Sequence, residues 1–542
     1  MDIKNIKPRF RKWLAIPLVA TLIAATGCQA IGNTDLGQAM DRSFTVNSYM
    51  GNGTLTIGLI ADPAADVSKE QAEILQTFKT MTFAMSEIKR QDPQHTSMKG
   101  VFTYSKGSIP FELFTVDGVT TIQIDGAKKP IVLEKSEDSS SINLTSALPL
   151  PDSVKKEIDK KSQEMMNQIG RFLLTKADNP EHIASEPATV TIGGRQVQLN
   201  RVHMNMSGDE WKSWLKGLIY NVLADNTGLK ELVGQLYEIV APQLAASAGS
   251  EDGASGGSAL TGIFANKDLA VGLLTTVFQG MLTRTALGLD GETATTTGEN
   301  GTDIASDNTE NASKKNDAGI LAEVSSFALD LGIDSDANIR ETNLNLELTS
   351  PDSSKDGIGK IDVMLSSQRW NINQPVQADT VVSNDSYSYN SETTRARELM
   401  SFVIEGTPIY KMLKDDLHKN RDVIKMPVGD ADDMNDGVHP YISNGSTLVP
   451  ARFVVEKLDA DIQWNGETQQ VTVIDPFSHR KIVLAIGSNQ ATVDGKATTL
   501  ETAAELTNSS TFVPVRFIAE ALGCKVEWDD KTRTVIITRE AD

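Results

Sequence analysis

The chain has 542 residues, with 51 Lys and Arg against 72 Asp and Glu, for a formal net charge of −21. That balance excludes a nucleic-acid binder and repels anionic membrane surfaces. Two cysteines in the whole chain exclude a disulfide framework, so the fold must stand on its core.

Lys4, Lys7, Arg9, Arg11 and Lys12 form a basic n-region, followed by an apolar run from Trp13 to Ala25 and by Thr26-Gly27-Cys28. The run is short for a membrane span and has the charge order of an export signal. Its end resembles a bacterial lipobox, in which the cysteine is diacylated and becomes the first mature residue; Ala25 stands where leucine is usual. The resemblance implies a lipoprotein signal peptide over 1–27 and a palmitate-type anchor on Cys28. The chain would then be held on the extracytoplasmic face of the cell membrane, since two acyl chains suffice for stable attachment. An ordinary signal peptide with Cys28 incidental is the alternative. Removing residues 1–27 takes away five positive charges and one negative, moving the net charge from −21 to −25.

Residues 28–48 are polar and read as a tether. From 49 to 380 the pattern predicts an α+β domain built on an antiparallel sheet with packed helices. Leu55, Ile57 and Leu59 alternate, as do Met81, Phe83 and Met85, and segments 98–105, 109–116 and 119–124 are separated by turn residues. A helix is predicted over 154–174, capped by Asp152 or Ser153, and then a hairpin around Gly193-Gly194. Ser207 and Glu210 have capping-box spacing before a helix carrying Trp211, Trp214, Leu215, Leu218 and Ile219. Residues 245–258 and 290–317 are too polar and too small to offset ordering, and are expected to be mobile loops. The helix between them, 268–287, is apolar on nearly all sides and is expected to be buried, in the core or against a ligand. Leu344–Leu348 and Ile361–Leu365 are expected to form a final hairpin. Residues 381–437 read as a connector with a short helix around 394–417.

The last part, 438–542, is written twice. Ser446-Thr447-Leu448-Val449-Pro450-Ala451-Arg452-Phe453 returns 64 residues on as Ser510-Thr511-Phe512-Val513-Pro514-Val515-Arg516-Phe517. The offset then holds for Glu456/Glu520, Leu458/Leu522, Trp464/Trp528, Thr468/Thr532 and Val471/Val535. A kept spacing of this kind marks one supersecondary unit used twice. In each copy a β segment runs into proline and a helix, and then into a hairpin. One such unit has a marginal core, so the two are expected to pack as one body. Cys524 aligns with Ala460, which makes it a packing thiol.

The pattern T-[LF]-V-P-x-R-F, E-x-L, W, T-x-x-V resembles the copper amine oxidase N-terminal-like domain, a stalk module of Gram-positive surface proteins. The resemblance implies an α+β module. It does not bring the oxidase chemistry, for which an Asn-Tyr-[Asp/Glu] motif and copper-binding histidines are needed. No Asn-Tyr pair occurs, and His95, His182, His203, His418, His439 and His479 are scattered. No metal or other cofactor is expected.

Trp464 and Trp528 are candidates for stacking on wall glycan, but covering the module's own core is the favoured reading. Asp334-x-Asp336-x-Asn338 and the group Asp430, Asp432, Asp433 and Asp436 lack the glycine and glutamate of a calcium loop, and read as solvated acidic loops. The N-terminal domain resembles the carrier fold of envelope lipoproteins, whose curved sheet and helices enclose an apolar cavity. Met81, Phe83 and Met85, with the 268–287 helix, are the candidate lining; a core stripe is the alternative. The sequence thus favours a non-catalytic lipoprotein whose stalk contacts cell-wall polymer or an envelope protein. Its second reading is a carrier or sensor of a lipid or other apolar ligand.

Overall fold

The computed structural model describes residues 34–133, 152–248, 266–289, 323–350, 353, 357–381, 385–390, 394, 396–429, 440–443, 445–458, 460–476, 478–507 and 510–540. The fold is mixed α+β and divides into two compact units, one of residues 1–125 and 130–388, the other of 126–129 and 389–542. The proposed signal peptide, Cys28 and the acidic group at 430–436 lie outside the described residues. So do 249–258 and 290–317, whereas 245–248 continue a helix.

The first described helix lies where a tether was expected. Helix α1 (Leu36–Ser43) is capped by Asp35, whose carboxylate accepts from Gln38 N at 2.8 Å. Leu36, Ala39 and Met40 share one face and are fully buried. Three well-spaced apolar side chains dock a two-turn helix, and an average over twenty polar positions hides them.

Strand β1 (Tyr49–Ala61) follows, then α2 (Lys69–Thr77) and the meander β2 (Thr80–Asp92), β3 (His95–Tyr104), β4 (Gly107–Val116), β5 (Val119–Ile124) and β6 (Ile131–Leu133). Helix α3 (Asp152–Leu174) leads to the hairpin β7 (Ile183–Ile192) and β8 (Arg195–Ser207). Helices α4 (Gly208–Ala224), α5 (Asn226–Ala248) and α6 (Lys267–Leu289) come next. Strands β9 (Val324–Ile333), β10 (Ile339–Thr349) and β11 (Ile358–Trp370) return to the sheet, and β12 (Tyr387–Tyr389) stands where the unit ends. The sheet has twelve strands in the order β12-β6-β5-β4-β3-β2-β1-β11-β10-β9-β8-β7. The expected final hairpin is present as β10 and β11, paired from Glu341↔Gln368 to Thr349↔Lys360. Strands β1 and β11 pair from Met50↔Trp370 to Ala61↔Ile358 and so join two meanders into one surface.

Period-two alternation places an apolar row across that surface. Ile183, Met204, Leu329, Leu344, Leu365, Leu55, Phe83, Phe102 and Ile109 stand opposite one another in turn, from β7 to β4. The next row is Met206, Phe327, Leu346, Val363, Ile57 and Met81. The opposite face of the central strands is polar, with Thr54, Thr56, Asn343, Asn345 and Ser366.

Helix α4 covers the β8–β9 part of the apolar face. Its capping box forms as expected, Ser207 with Glu210, and the fully buried Trp211 stacks on Phe327 at 5.2 Å. Helix α6 corrects an expectation. It packs on α4 and α5 through Ala270, Val271, Thr275 and Ala286, and leaves Leu269 (58% exposed), Leu273 and Met281 outward. Two neighbouring helices cover about one face of a third, so an apolar helix at the edge of a layer keeps an uncovered side.

In the second unit the helix expected over 394–417 is broken into α7 (Ala396–Ser401) and α8 (Pro408–Lys411), the latter running into a π turn over Met412–Asp416. Gly406 at φ +80° and Pro408 interrupt it. The connector residues after it are not a spacer: β13 (Arg421–Pro427) adds Ile424 and Met426 to the unit's core. After β14 (Tyr441–Ser443) come two similar runs, separated by β18 (Lys481–Ala485), β19 (Gln490–Val493), β20 (Lys496–Thr499) and β21 (Glu505–Thr507). The first is β15 (Ser446–Pro450), α9 (Ala451–Lys457), β16 (Asp461–Asn465) and β17 (Gln470–Ile474). The second is β22 (Ser510–Pro514), α10 (Val515–Ala521), β23 (Lys525–Asp529) and β24 (Thr534–Glu540). Strands β15 and β22 are antiparallel with Val449 opposite Val513, and both helices contribute to one shared core.

Candidate functional site

Met81, Phe83 and Met85 lie on the apolar face. A Cβ added to Gly53, opposite Met85, would stand 3.6 Å from Met85 Cε. Met81 is buried, whereas Phe83 and Met85 are half-buried. Aromatic rings extend the surface: Phe83 to Phe102 at 4.8 Å, Phe102 to Tyr104 at 5.7 Å, and Tyr104 to Phe78 at 5.2 Å. The ring of Phe111 lies over Gly100, where a Cβ would come within 2.5 Å of Cζ, so a larger residue there would push the ring aside.

The two halves of the face differ. On β8, β9 and β10 Met204, Leu329, Leu331, Leu344 and Leu346 are fully buried, whereas on β2, β3 and β4 Phe83, Phe102 and Phe111 remain half-buried. The sequence placed α6 beside the Met81–Met85 stripe. The structure packs α6 on α4 and α5, while β2 lies between β1 and β3.

Trp464 and Trp528, expected to cover the core, are 44% and 39% exposed. Each is paired across its hairpin with a buried valine, Val471 or Val535, while the indole itself is exposed. Trp528 Nε1 donates to Asp530 Oδ1 at 2.6 Å. Phe453, on α9, is also exposed.

The acidic loop at 334–338 is closed by its own atoms. Asp334 accepts from Asp336 N (3.0 Å), Asn338 N (2.9 Å) and Arg340 Nη1 (3.0 Å). Among the described residues one group, Glu181, His182 and Glu210, gathers three ligand-type atoms within 4.8 Å. It is largely exposed, and Glu210 already closes the α4 capping box, accepting from Ser207 N at 2.7 Å. His203 sits between Asp330 (2.6 Å) and Glu186 (3.3 Å). Burial disfavours its charged form, but the two carboxylates outweigh that and raise its pKa above the ordinary imidazole value.

Sequence reasoning missed a buried ion pair. Arg539 binds Asp475 Oδ2 through Nη2 and the carbonyl of Leu458 through Nη1, Ser478 Oγ donates to Asp475 at 2.7 Å, and Arg397 stands 3.7 Å from its other oxygen. Cys524 lies in the same core, its thiol pKa pushed up to about 11 by burial against the lowering charge of Arg539 and Arg397. That fits a packing thiol.

Residues 429–537 match the family described as copper amine oxidase N-terminal domain, which is 109 of the 542 residues. No curated protein matches the chain significantly. None of the described helices is long and apolar enough to cross a membrane.

Proposed function

We propose that this module of the copper amine oxidase N-terminal kind is the contact domain of a non-catalytic, membrane-anchored surface lipoprotein, whose larger unit carries an acyl-chain ligand on its apolar sheet face. The observation behind the carrier role is the in-register apolar row from β7 to β4, buried at Met204, Leu329 and Leu344 and half-buried at Phe83 and Phe102 before it closes again at Ile109. Half-buried side chains still gain from losing water, at about 25 cal/mol per Å² of apolar area, and an acyl chain laid on them gains about 0.8 kcal/mol per CH₂. The basic n-region, the Trp13–Ala25 run and Cys28 support the anchor and the extracytoplasmic location.

The test is native mass spectrometry of the chain from residue 29 onward, purified without detergent. An apolar mass that is lost on organic extraction is expected. A clean ligand-free mass, unchanged after incubation with fatty acid, would refute the carrier role.

The exposed tryptophans favour a second role for the C-terminal unit, contact with wall polymer, since an exposed indole is a ready stacking surface. Cosedimentation of the same protein with purified cell walls should fall several-fold in Trp464→Ala/Trp528→Ala. Equal pelleting of variant and parent would remove the tryptophans from that role.

A further inference from the structure

Tyr49 begins β1 on the same side as Leu55, because Tyr49, Gly51, Gly53 and Leu55 are successive members of one period-two set. Its ring lies over Gly51, 3.5 Å from where a Cβ would stand. Two guanidinium groups flank that ring, Arg369 with Cζ at 5.1 Å from its centroid and Arg90 at 6.0 Å. Arg90 pairs across from Tyr49 on β2 and Arg369 across from Gly51 on β11, so both belong to the apolar face at one end of the row. Acids of the neighbouring strands are engaged elsewhere: Asp92 with His95 (2.9 Å), Glu87 with Lys99 (2.9 Å) and Glu341 with Arg201 (2.7 Å). Among the described residues neither arginine has a carboxylate partner, and Arg90 Nε is shut off from solvent without a hydrogen-bond acceptor. Buried guanidinium atoms are ordinarily satisfied. Between the arginines and Leu55 the floor of β1 is Gly51 and Gly53, on which the Tyr49 ring and the Met85 methyl lie.

We propose that Arg90 and Arg369 receive the phosphate headgroup of an anionic membrane lipid whose acyl chains lie along Leu55, Phe83 and Phe102. The inference rests on the carrier reading and adds the class of ligand. Guanidinium groups suit a phosphate because they are planar, permanently charged forks. The net charge, −21 for the whole chain and −25 without residues 1–27, does not oppose this. That charge acts across solvent, where salt screens it within about 8 Å, while a phosphate against the face meets the two cations directly.

The experiment measures retention of two lipids with identical tails, dioleoylphosphatidylglycerol and dioleoylglycerol, on the chain from residue 29 onward at 0.15 M salt. The parent protein should prefer the phosphate lipid by about tenfold or more, the scale of charge-assisted hydrogen bonds. Arg90→Gln/Arg369→Gln should reduce that preference to about twofold while keeping dioleoylglycerol binding, which also shows that the variant is folded. Lys89→Gln removes a cation of the same strand that is paired with Asp379 at 2.9 Å, and should keep the preference. Equal retention of both lipids by the parent, or a preference that survives in the double variant, overturns the headgroup site and leaves the carrier reading standing. Glycerol phosphate alone should not bind; binding as tight as the lipid's would make this a site for free phosphate and overturn the proposal. Retention of neither lipid brings down the carrier reading and this inference with it.

Discussion

Asp475 and Arg539 are 1% and 4% exposed, and they are 64 residues apart. The same separation relates Tyr441 to Glu505, joined by a 3.0 Å hydrogen bond, and Val449 to Val513, paired across β15 and β22. Matching positions of the two similar runs therefore meet, and at the buried pair Asp475 and Arg539 they carry opposite charges. Two carboxylates or two guanidinium groups there would repel without solvent to relieve them. Removing one partner strands the other, so Asp475→Asn and Arg539→Met should each destabilise the C-terminal unit by about 3–5 kcal/mol, while Asp475→Leu/Arg539→Met should recover most of the loss. Hydrogen exchange of peptides from 440–540 against urea reads this directly, and single variants within about 1 kcal/mol of the parent would show that the pair is dispensable. The pair was illegible in the sequence for a plain reason. The similarity of the two runs is recognised through identities, and this contact uses a position where they differ.

At the scale of elements, strong local codes were readable. The Ser207/Glu210 capping box, the Gly193-Gly194 turn and the proline that ends β15 and β22 each act within a few residues, so their outcome depends little on the rest of the fold. What misled was context. Helix α1 has too few apolar residues to stand out and is fixed by what it docks on. Helix α6 has too many, and its burial is limited by how many neighbours it has. The tryptophans stand opposite buried valines, one pair short of the turn, yet stay 44% and 39% exposed. A second capping box, Ser68 with Gln71, starts α2 and had the same spacing signal as the first, but no apolar run follows to draw attention to it.

For the whole molecule, alternation identified most of the strands of the large sheet but not their order. The pairing of β1 with β11 joins segments about 300 residues apart, and it is this pairing that turns two local meanders into one apolar surface. Met81, Phe83 and Met85 were legible as members of an apolar face, while the arginines at its end were not, because only the assembled sheet brings Arg90 and Arg369 to Tyr49. The central claim is that the half-buried part of this surface holds an acyl chain. The most direct measurement is photolabelling of the chain from residue 29 onward with a fatty acid bearing a diazirine at mid-chain, followed by peptide mapping. Adducts concentrated in Thr80–Ile124 are the predicted result. Adducts on the outward side of α6, at Leu269–Met281, or no labelling above that of the unfolded protein, would contradict it.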